Sequence, residues 1–480
     1  MAREALWMPA TEQARMVRDG ECTSRELVEA SLAAIDSMDS ELNAFVHVAP
    51  ESVLAEADAI EAGDERPLAG VPIAVKDLLA PVAGMPMTWG TAAMEGYVPD
   101  EDGNVARRLR GAGAVIVGKT NTPELGILPV TEPDANGATR NPWHTERTPG
   151  GSSGGSGAGV AAGMVSVAHG NDGGGSIRIP ASCCGLVGLK PARGRVSLQP
   201  AWTEGAVGLA GDGCLSRTVL DTAVALDVLA GAELGDAHPA PPPSAPFADA
   251  ARRDPGRLRV AFALEAPNGA PVDPEVAATV RETVELLESL GHSVEEAAPD
   301  VDSEHYVENF IKVWIGEIGA ELHTLEELRG EPIDRDRIEP LTRQMEEIAG
   351  GMSATDFLIA LDYLRRIARD IVGFWGDHDV LVTPTLTRPA IEIGALDPAS
   401  GEEPVQRLMN SSDWVPFTPV WNVTGQPAVS LPLDQSEAGL PIGVQFTGAP
   451  AAEETLLSLA GQLEQARPWA DRRPPVAAAA

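Results

Sequence analysis

A run of glycines that ends in a serine is the segment of this chain with the clearest capacity for chemistry. Residues 170–181 read GNDGGGSIRIPA, so Ser176 follows three consecutive glycines. Successive backbone N–H groups in such a turn can converge on one point, which suits a developing oxyanion. The sequence therefore predicts Ser176 as a nucleophile beside an oxyanion site formed by the glycine run.

A serine nucleophile needs a base that removes its proton. His169 is the nearest histidine in sequence, but a separation of seven residues gives no reason for contact, and we interpret His169 as structural. Two other segments contain candidate groups. They are residues 70–77, which read GVPIAVKD, and residues 149–156, which read PGGSSGGS.

Lysine is rare in this chain, and its scarcity bears on the search for a base. Only four of the 35 basic residues are lysines, and the other 31 are arginines. An arginine cannot lose its proton in a protein, whereas a buried lysine can. A retained lysine is therefore a candidate base, although chance explains any single one equally well. The four are Lys76, Lys119, Lys190 and Lys312.

Taken together, the three segments resemble those of the amidase signature family of serine hydrolases. Further segments extend the resemblance over most of the chain outside residues 230–375. Matched residue by residue, Lys76 corresponds to the family's catalytic lysine, Ser152 to its cis-serine and Ser176 to its nucleophile. The resemblance implies a cis peptide before Ser152, which relays the proton between Ser176 and Lys76. It assigns the oxyanion hole to the backbone amides of Gly173, Gly174, Gly175 and Ser176.

The same resemblance implies roles for the neighbouring polar residues. We expect Ser153 to orient the catalytic pair by hydrogen bonding, and we expect Asp172 and Arg178 to brace the loop rather than touch substrate. Lys76 must be neutral to act as a base, so burial has to lower its pKa from about 10.4 to roughly 7–8. Position 173 carries glycine where the family often has a larger residue, which predicts a looser or wider oxyanion loop.

Within the family, the chain is most similar in appearance to nylon-oligomer (6-aminohexanoate cyclic dimer) hydrolases. The similarity is strongest over residues 120–143, 169–191 and 417–445. Residues 201–213 do not look like the corresponding stretch of the glutamyl-tRNA amidotransferase subunit. The resemblance therefore implies a stand-alone hydrolase of carbon–nitrogen acyl bonds that works through an acyl-enzyme. Carbamate (urethane) cleavage by the same mechanism is the alternative, and an amidotransferase subunit is the less favoured one.

Apolar residues beside the motifs suggest the substrate class. Leu128 lies in the apolar run that follows residues 118–126, Met85 follows the lysine segment, and Trp421 lies near a predicted turn at residues 422–427. We expect these three side chains to contact substrate, although core packing would explain each of them. The predicted substrates are small, largely apolar amides of the oligoamide or aryl amide type.

Composition excludes several classes of partner. The net charge is −36, from 71 acidic against 35 basic residues, and such a field repels phosphate backbones. The four cysteines fit no zinc spacing, and no run of about 18 apolar residues could span a membrane. With no apolar segment near the N-terminus, we expect a cytoplasmic enzyme that uses no metal or cofactor. The oligomeric state stays open, with a homodimer among the possibilities.

Two glycine patterns that resemble nucleotide-binding motifs are rejected. Residues 113–120 match the GxxxxGK[ST] pattern, but the four residues between the glycines are predicted to form a strand, so their amides cannot cradle phosphate. Residues 157–162 resemble a dinucleotide fingerprint but follow no apolar strand.

The elements that must position these residues alternate between strands and helices. Short apolar strands are predicted at residues 71–75, 114–117 and 380–382, and a strongly amphipathic helical region is predicted over residues 300–375. This alternation predicts an α/β fold, a single large domain with a central mixed sheet covered by helices on both faces. The predicted division is an N-terminal helical segment (1–65), a catalytic core (66–235), the remainder of the core (236–300 and 376–480) and a helical cap (301–375).

Overall fold

One mixed sheet of eleven strands organises the described part of the chain. The computed structural model describes residues 2–301 and 303–479. Met1, Asp302 and Ala480 belong to the predicted divisions 1–65, 301–375 and 376–480 and lie outside the described residues. The strands are β1 (Phe45–Val48), β2 (Pro72–Lys76), β3 (Val115–Thr120), β4 (Val167–Asp172), β5 (Val187–Lys190), β6 (Gly211–Ser216), β7 (Arg259–Phe262), β8 (Ser293–Glu296), β9 (Val380–Pro384), β10 (Ala428–Gln435) and β11 (Pro441–Gly448).

The strand order is β1-β3-β2-β4-β6-β5-β10-β11-β9-β7-β8. β2 is parallel to both of its neighbours, β3 and β4, whereas β4 is antiparallel to β6. Every residue of β2, β3 and β4 is buried, which is the pattern of strands covered on both faces. The predicted α/β class with a mixed sheet and helices on both of its faces is confirmed.

Helices connect and cover the strands. In the described chain they are α1 (Ala2–Ala5), α2 (Ala10–Arg18), α3 (Ser24–Leu42), α4 (Pro50–Asp58), α5 (Asn104–Gly111), α6 (Gly154–Ala161), α7 (Arg178–Cys184), α8 (Val219–Leu229), α9 (Phe247–Ala250), α10 (Pro274–Ser289), α11 (Ser303–Arg329), α12 (Pro340–Gly351), α13 (Ala354–Val372), α14 (Gln406–Met409), α15 (Val420–Thr424), α16 (Glu453–Ala466) and α17 (Pro475–Ala479).

The predicted strands are present at or within a few residues of their expected positions. The strand expected at residues 114–117 is β3, which contains residues 115–120 of the GxxxxGKT pattern, so three of the four residues between the glycines belong to the sheet. The segment 157–162 begins inside α6 rather than after an apolar strand. One expectation is wrong in part, because the stretch 1–65 contains β1 among its helices. A strand of four residues paired antiparallel to β3 is too short to show a period in sequence.

The amphipathic region predicted over residues 300–375 is helical, with short connections. α11 packs against both α12 and α13. Leu361, Leu364 and Ile371 lie on one face of α13 and are buried, as amphipathic periodicity requires. In the chain as described, no helix is both long enough and apolar enough to cross a bilayer.

Candidate active site

Three separate segments converge at one edge of the sheet. Lys76 is the last residue of β2, and Asn171 and Asp172 are the last two residues of β4. Because β2 and β4 are parallel, their carboxyl ends meet at the same edge, where side chains of open α/β sheets commonly form sites. Ser152 lies just before α6, and Ser176 lies just before α7. The fold thus brings the three predicted motif segments together.

Lys76 is fully buried and makes two hydrogen bonds through its amine. Its Nζ donates to Ser152 Oγ at 2.7 Å and to Asn171 Oδ1 at 2.6 Å. Asn171 is itself held, because its Nδ2 donates to the Leu78 carbonyl oxygen at 2.9 Å. The Gly151–Ser152 peptide is cis, as the resemblance implied.

Asn171 was not among the residues predicted from sequence. It is the second group that holds the Lys76 amine, and its only signal in the sequence was its place directly before Asp172 in the motif. An amide side chain in a glycine-rich turn is ordinarily explained by its own turn geometry, so the residue type did not point to the lysine.

The electrostatic environment of Lys76 favours its neutral form. Burial lowers the pKa of Lys76 to about 7, against the opposing effect of the nearby carboxylates of Asp172 and Asp212. Because desolvation penalises the charged ammonium, a buried lysine loses its proton at a much lower pH than a free one. The amine is therefore neutral in a large fraction of molecules near neutral pH.

A buried ion pair lies beneath the glycine run. Arg178 donates from Nε and Nη2 to the two carboxylate oxygens of Asp172, at 2.9 and 2.8 Å. The guanidinium also donates to the Thr418 carbonyl oxygen and to Asn422 Oδ1. Although burial alone would raise it, the charge and hydrogen bonds of Arg178 hold the pKa of Asp172 well below its usual range. Both side chains are inaccessible to solvent, so neither is exposed to a ligand.

The glycine run is tied to its surroundings at several points. Gly175 has a φ of +133°, and a Cβ there would lie 2.4 Å from Thr418 Oγ1, so the position admits only glycine. Thr418 Oγ1 donates to the Gly174 carbonyl oxygen at 2.7 Å. The Gly175 N–H donates to Asp172 Oδ1 at 2.8 Å. Of the four amides assigned to the oxyanion hole, that of Gly175 therefore already donates its hydrogen bond to Asp172 and is not free for an oxyanion, which corrects the expectation for this residue.

Ser153 connects the two serine-bearing segments. Its backbone N–H donates to the Ser176 carbonyl oxygen at 3.2 Å, and its Oγ donates to the Asn171 carbonyl oxygen at 3.3 Å. His169 lies on β4 with its Nε2 at 3.2 Å from Asp212 Oδ1, and both side chains are buried.

A cavity of about 110 Å³ opens onto Ser176, which is 9% exposed. Among the described residues that line it, none is an aspartate, glutamate, lysine or arginine. The lining comes from five parts of the chain: the segment Gly126, Ile127, Leu128 and Pro129; the loop and α7 residues Gly174, Ser176 and Ile179; the pair Pro267 and Asn268; the α11 residues Tyr306, Val307, Phe310, Ile311 and Trp314; and the later residues Leu408, Met409, Ser411, Ser412, Val415, Pro416 and Pro419.

Comparison with known proteins shows the family of this chain. The Amidase family model matches residues 26–457. The 6-aminohexanoate-cyclic-dimer hydrolase of Paenarthrobacter ureafaciens is 41% identical, over 99% of this chain and 98% of that protein. The chain belongs to the amidase signature family. It is a hydrolase that acts on carbon–nitrogen bonds other than peptide bonds.

Solved structures of other amidases share the fold. A 6-aminohexanoate cyclic dimer hydrolase complexed with substrate matches with a TM-score of 0.94 and 40% identity, covering 98% of this chain and 99% of that one. A bacterial aryl acylamidase of the same family matches with a TM-score of 0.85 and 27% identity, covering 96% and 97% of the two chains.

Of the three side chains expected to contact substrate in this amidase, the structure places one at the cavity. Leu128 lines it. Met85 is 3% exposed and belongs to the main hydrophobic core. Trp421 lines a different cavity, of about 310 Å³, together with Phe417 and Val420. The expectation is wrong for Met85 and Trp421 because proximity in sequence to a motif does not decide on which side of the backbone a side chain lies.

The glycine at position 173 does not leave the amidase with a wider loop. A Cβ built there would lie 3.0 Å from Cη2 and 3.1 Å from Cζ3 of Trp314. The indole ring from α11 therefore occupies the space that a side chain at position 173 would take, which corrects the expectation of a wider loop.

Burial is shared by three of the amidase's four lysines. Burial lowers the pKa of Lys119 to about 8 and that of Lys190 to about 7. Their amines donate to the carbonyl oxygens of Ala80 and Pro191, whereas Lys312 pairs with a glutamate on the surface. Scarcity of lysine thus indicated burial, and the contacts with Ser152 and Asn171 distinguish Lys76 from the other two buried lysines.

Proposed function

We propose that this amidase hydrolyses small, uncharged, largely apolar amides through a triad of Ser176, Ser152 and Lys76. The observation that carries the proposal is the position of Ser176, which borders an uncharged cavity while the neighbouring cis-serine Ser152 accepts a hydrogen bond from a buried lysine amine.

The first half of the reaction forms an acyl-enzyme. Neutral Lys76 accepts the Ser152 proton, Ser152 accepts the Ser176 proton, and Ser176 Oγ bonds to the substrate carbonyl carbon. The carbonyl electron pair moves onto oxygen, and backbone amides stabilise that oxyanion; those of Gly173, Gly174 and Ser176 are the candidates, since Gly175 is held by Asp172. The carbon–nitrogen bond then breaks as the proton returns through Ser152 to the leaving nitrogen, which departs as an amine.

The second half of the reaction repeats the proton relay with water. Water loses a proton towards Ser152 and Lys76 and attacks the acyl carbon, and the bond to Ser176 Oγ breaks as the serine regains its proton. The products are a carboxylic acid and an amine.

The lining of the cavity supports an uncharged substrate. A free α-carboxylate would need a convergent arginine or lysine, and the described lining has neither. Arg178, the basic residue nearest the loop in sequence, is buried and committed to Asp172. The names of two relatives also support this substrate class, since one is a 6-aminohexanoate-cyclic-dimer hydrolase and the other is an aryl acylamidase.

The proposal is tested by substrate comparison with the purified full chain. We expect the kcat/KM for an anilide or for the 6-aminohexanoate cyclic dimer, both uncharged, to exceed that for glutamine by at least about tenfold. A preference for glutamine of that size would overturn the proposed substrate class. A matched aryl carbamate tests urethane cleavage, which uses the same carbonyl chemistry. If the carbamate is cleaved faster than its matched amide, the enzyme is better described as a urethanase.

A further inference from the structure

Two aromatic rings of α11 lie directly on the oxyanion loop. The space above Gly173 is filled by the indole of Trp314, within 3.0 to 3.1 Å of where a Cβ would be. Above Gly174, the corresponding position is 3.7 Å from Cζ of Phe310. The two rings stack on each other, with centroids 5.8 Å apart and planes 14° apart. The ring-edge atoms Cη2 and Cζ3 of Trp314 and Cζ of Phe310 face the loop, and we call this stacked pair of rings the aromatic wall.

The aromatic wall and the glycine run fit each other sterically. A methyl group at position 173 would be in tighter contact with the Trp314 ring than nine in ten real Cβ contacts, so the ring would have to shift by a few tenths of an ångström. Both rings also line the cavity that opens onto Ser176. The wall is therefore in contact with the loop on one side and borders the substrate space on the other.

The wall limits what can sit beside a bound carbonyl group. A substrate carbonyl bound at Ser176 would have its acyl substituent in this cavity, beside Trp314 and Phe310. The stacked rings would leave room there for a methylene group or a thin aryl group, whereas an additional methyl on that carbon would overlap them. In a densely packed site even one extra methyl group costs binding energy.

We propose that Trp314 is a specificity-determining residue that selects acyl groups unbranched, or flat, at the carbon next to the scissile carbonyl. The inference rests on the proposed function and narrows it to straight-chain and aryl acyl amides. A purely structural role for Trp314, as an anchor of α11, predicts something else, namely an equal loss of activity on every substrate.

The test compares butyryl anilide with isobutyryl anilide, which differ only in branching at that carbon. The wild-type enzyme should prefer the straight chain, and Trp314→Ala should reduce the ratio of the two kcat/KM values by about tenfold or more. Ile318→Ala is the matched control. Ile318 is a buried residue of the same helix that does not line the cavity, so its loss tests an anchoring role of α11 and should leave that ratio unchanged.

A reciprocal pair of variants tests the steric fit. Gly173→Ala should lower kcat/KM because its methyl group collides with the indole, and adding Trp314→Ala should restore part of the loss. Such non-additivity is expected of residues in contact. Melting temperature and near-ultraviolet circular dichroism verify that each variant folds. If Trp314→Ala does not fold, Trp314→Phe replaces it, and its ratio of kcat/KM for butyryl over isobutyryl anilide should lie between those expected for the wild type and for Trp314→Ala.

The outcomes separate this inference from the proposed function. If the wild-type enzyme cleaves neither anilide nor any oligoamide, the proposed function fails. If it cleaves both anilides and Trp314→Ala leaves their ratio unchanged, or changes it no more than Ile318→Ala does, the selective role of Trp314 is refuted while the proposed function stands.

Discussion

Two regions of the site are held together in different ways. One is a group of buried polar side chains below the glycine run, which we call the floor; the other is the apolar lining of the cavity, called the wall, of which the aromatic wall is one part. In the floor, Lys76, Asn171, Asp172 and Arg178 are all buried, and each has its hydrogen-bonding groups engaged by defined partners. The cavity wall on the side of α11 and residues 408–419 consists mainly of apolar contacts. Buried polar groups are costly to leave unpaired, so the floor admits few alternative arrangements, whereas apolar packing tolerates exchange of similar volumes.

This difference separates two properties of the enzyme. Changes in the floor should alter the rate of the chemical step for every substrate, because they disturb proton transfer or the oxyanion. Changes in the wall should alter which substrate is used, with smaller effects on the chemical step. The comparison fails if floor variants change selectivity or if wall variants abolish turnover of all substrates equally.

The largest effect is expected from Ser176→Ala. Without the hydroxyl no acyl-enzyme can form, so kcat should fall by about 10⁴-fold or more while the melting temperature stays close to that of the wild type. Ser289→Ala, which removes an exposed hydroxyl from α10, is the matched control and should be fully active. A Ser176→Ala enzyme with more than about a tenth of wild-type kcat would refute the nucleophile.

Lys76→Arg comes next, with an expected loss in kcat of about 10³-fold. The guanidinium keeps the positive charge but cannot become neutral. Because burial lowers the pKa of Lys76 to about 7, the neutral amine predominates above that pH, and wild-type activity should fall as the pH decreases below it. Lys312→Arg, on the surface, is the control and should change nothing. Substantial activity in Lys76→Arg would mean that the base lies elsewhere.

Asn171→Asp should have a smaller and pH-dependent effect. A carboxylate 2.6 Å from the lysine amine favours the charged ammonium, so the pKa of Lys76 should rise by about one unit or more. The acid limb of the pH–kcat profile should then move to higher pH, giving about a tenfold loss at neutral pH that is recovered in alkaline buffer. A uniform loss at all pH values would assign Asn171 a merely structural role.

Val415→Ala should have the smallest effect. This residue lines the cavity from a segment far in sequence from the motif segments of the floor, and its truncation removes two methyl groups from the substrate's surroundings. We expect KM for an apolar anilide to rise by about threefold to tenfold, with kcat changed less than about twofold. A loss of kcat comparable to that of Asn171→Asp would show that wall and floor are not separable.

The floor was the more predictable of the two regions. The motif segments around Lys76, Ser152 and Ser176 are recognisable as local patterns because each is short and contiguous in sequence. Asn171 was missed although it lies in one of those motifs, since its role depends on the side chain of a residue 95 positions away. Met85 and Trp421 were misplaced because an apolar residue next to a motif can face either the core or the cavity.

The sequence alone determined the family, the α/β class and the identity of the motif residues, because glycine, serine and lysine at these spacings are typical of very few kinds of site. Only the tertiary structure decided that Asn171 holds the lysine amine, that Asp172 occupies the Gly175 amide and that Trp314 fills the space above Gly173. Each of these contacts joins side chains or loops whose meeting depends on how strands and helices pack. Local patterns record backbone preferences and burial, and they carry no distances between segments.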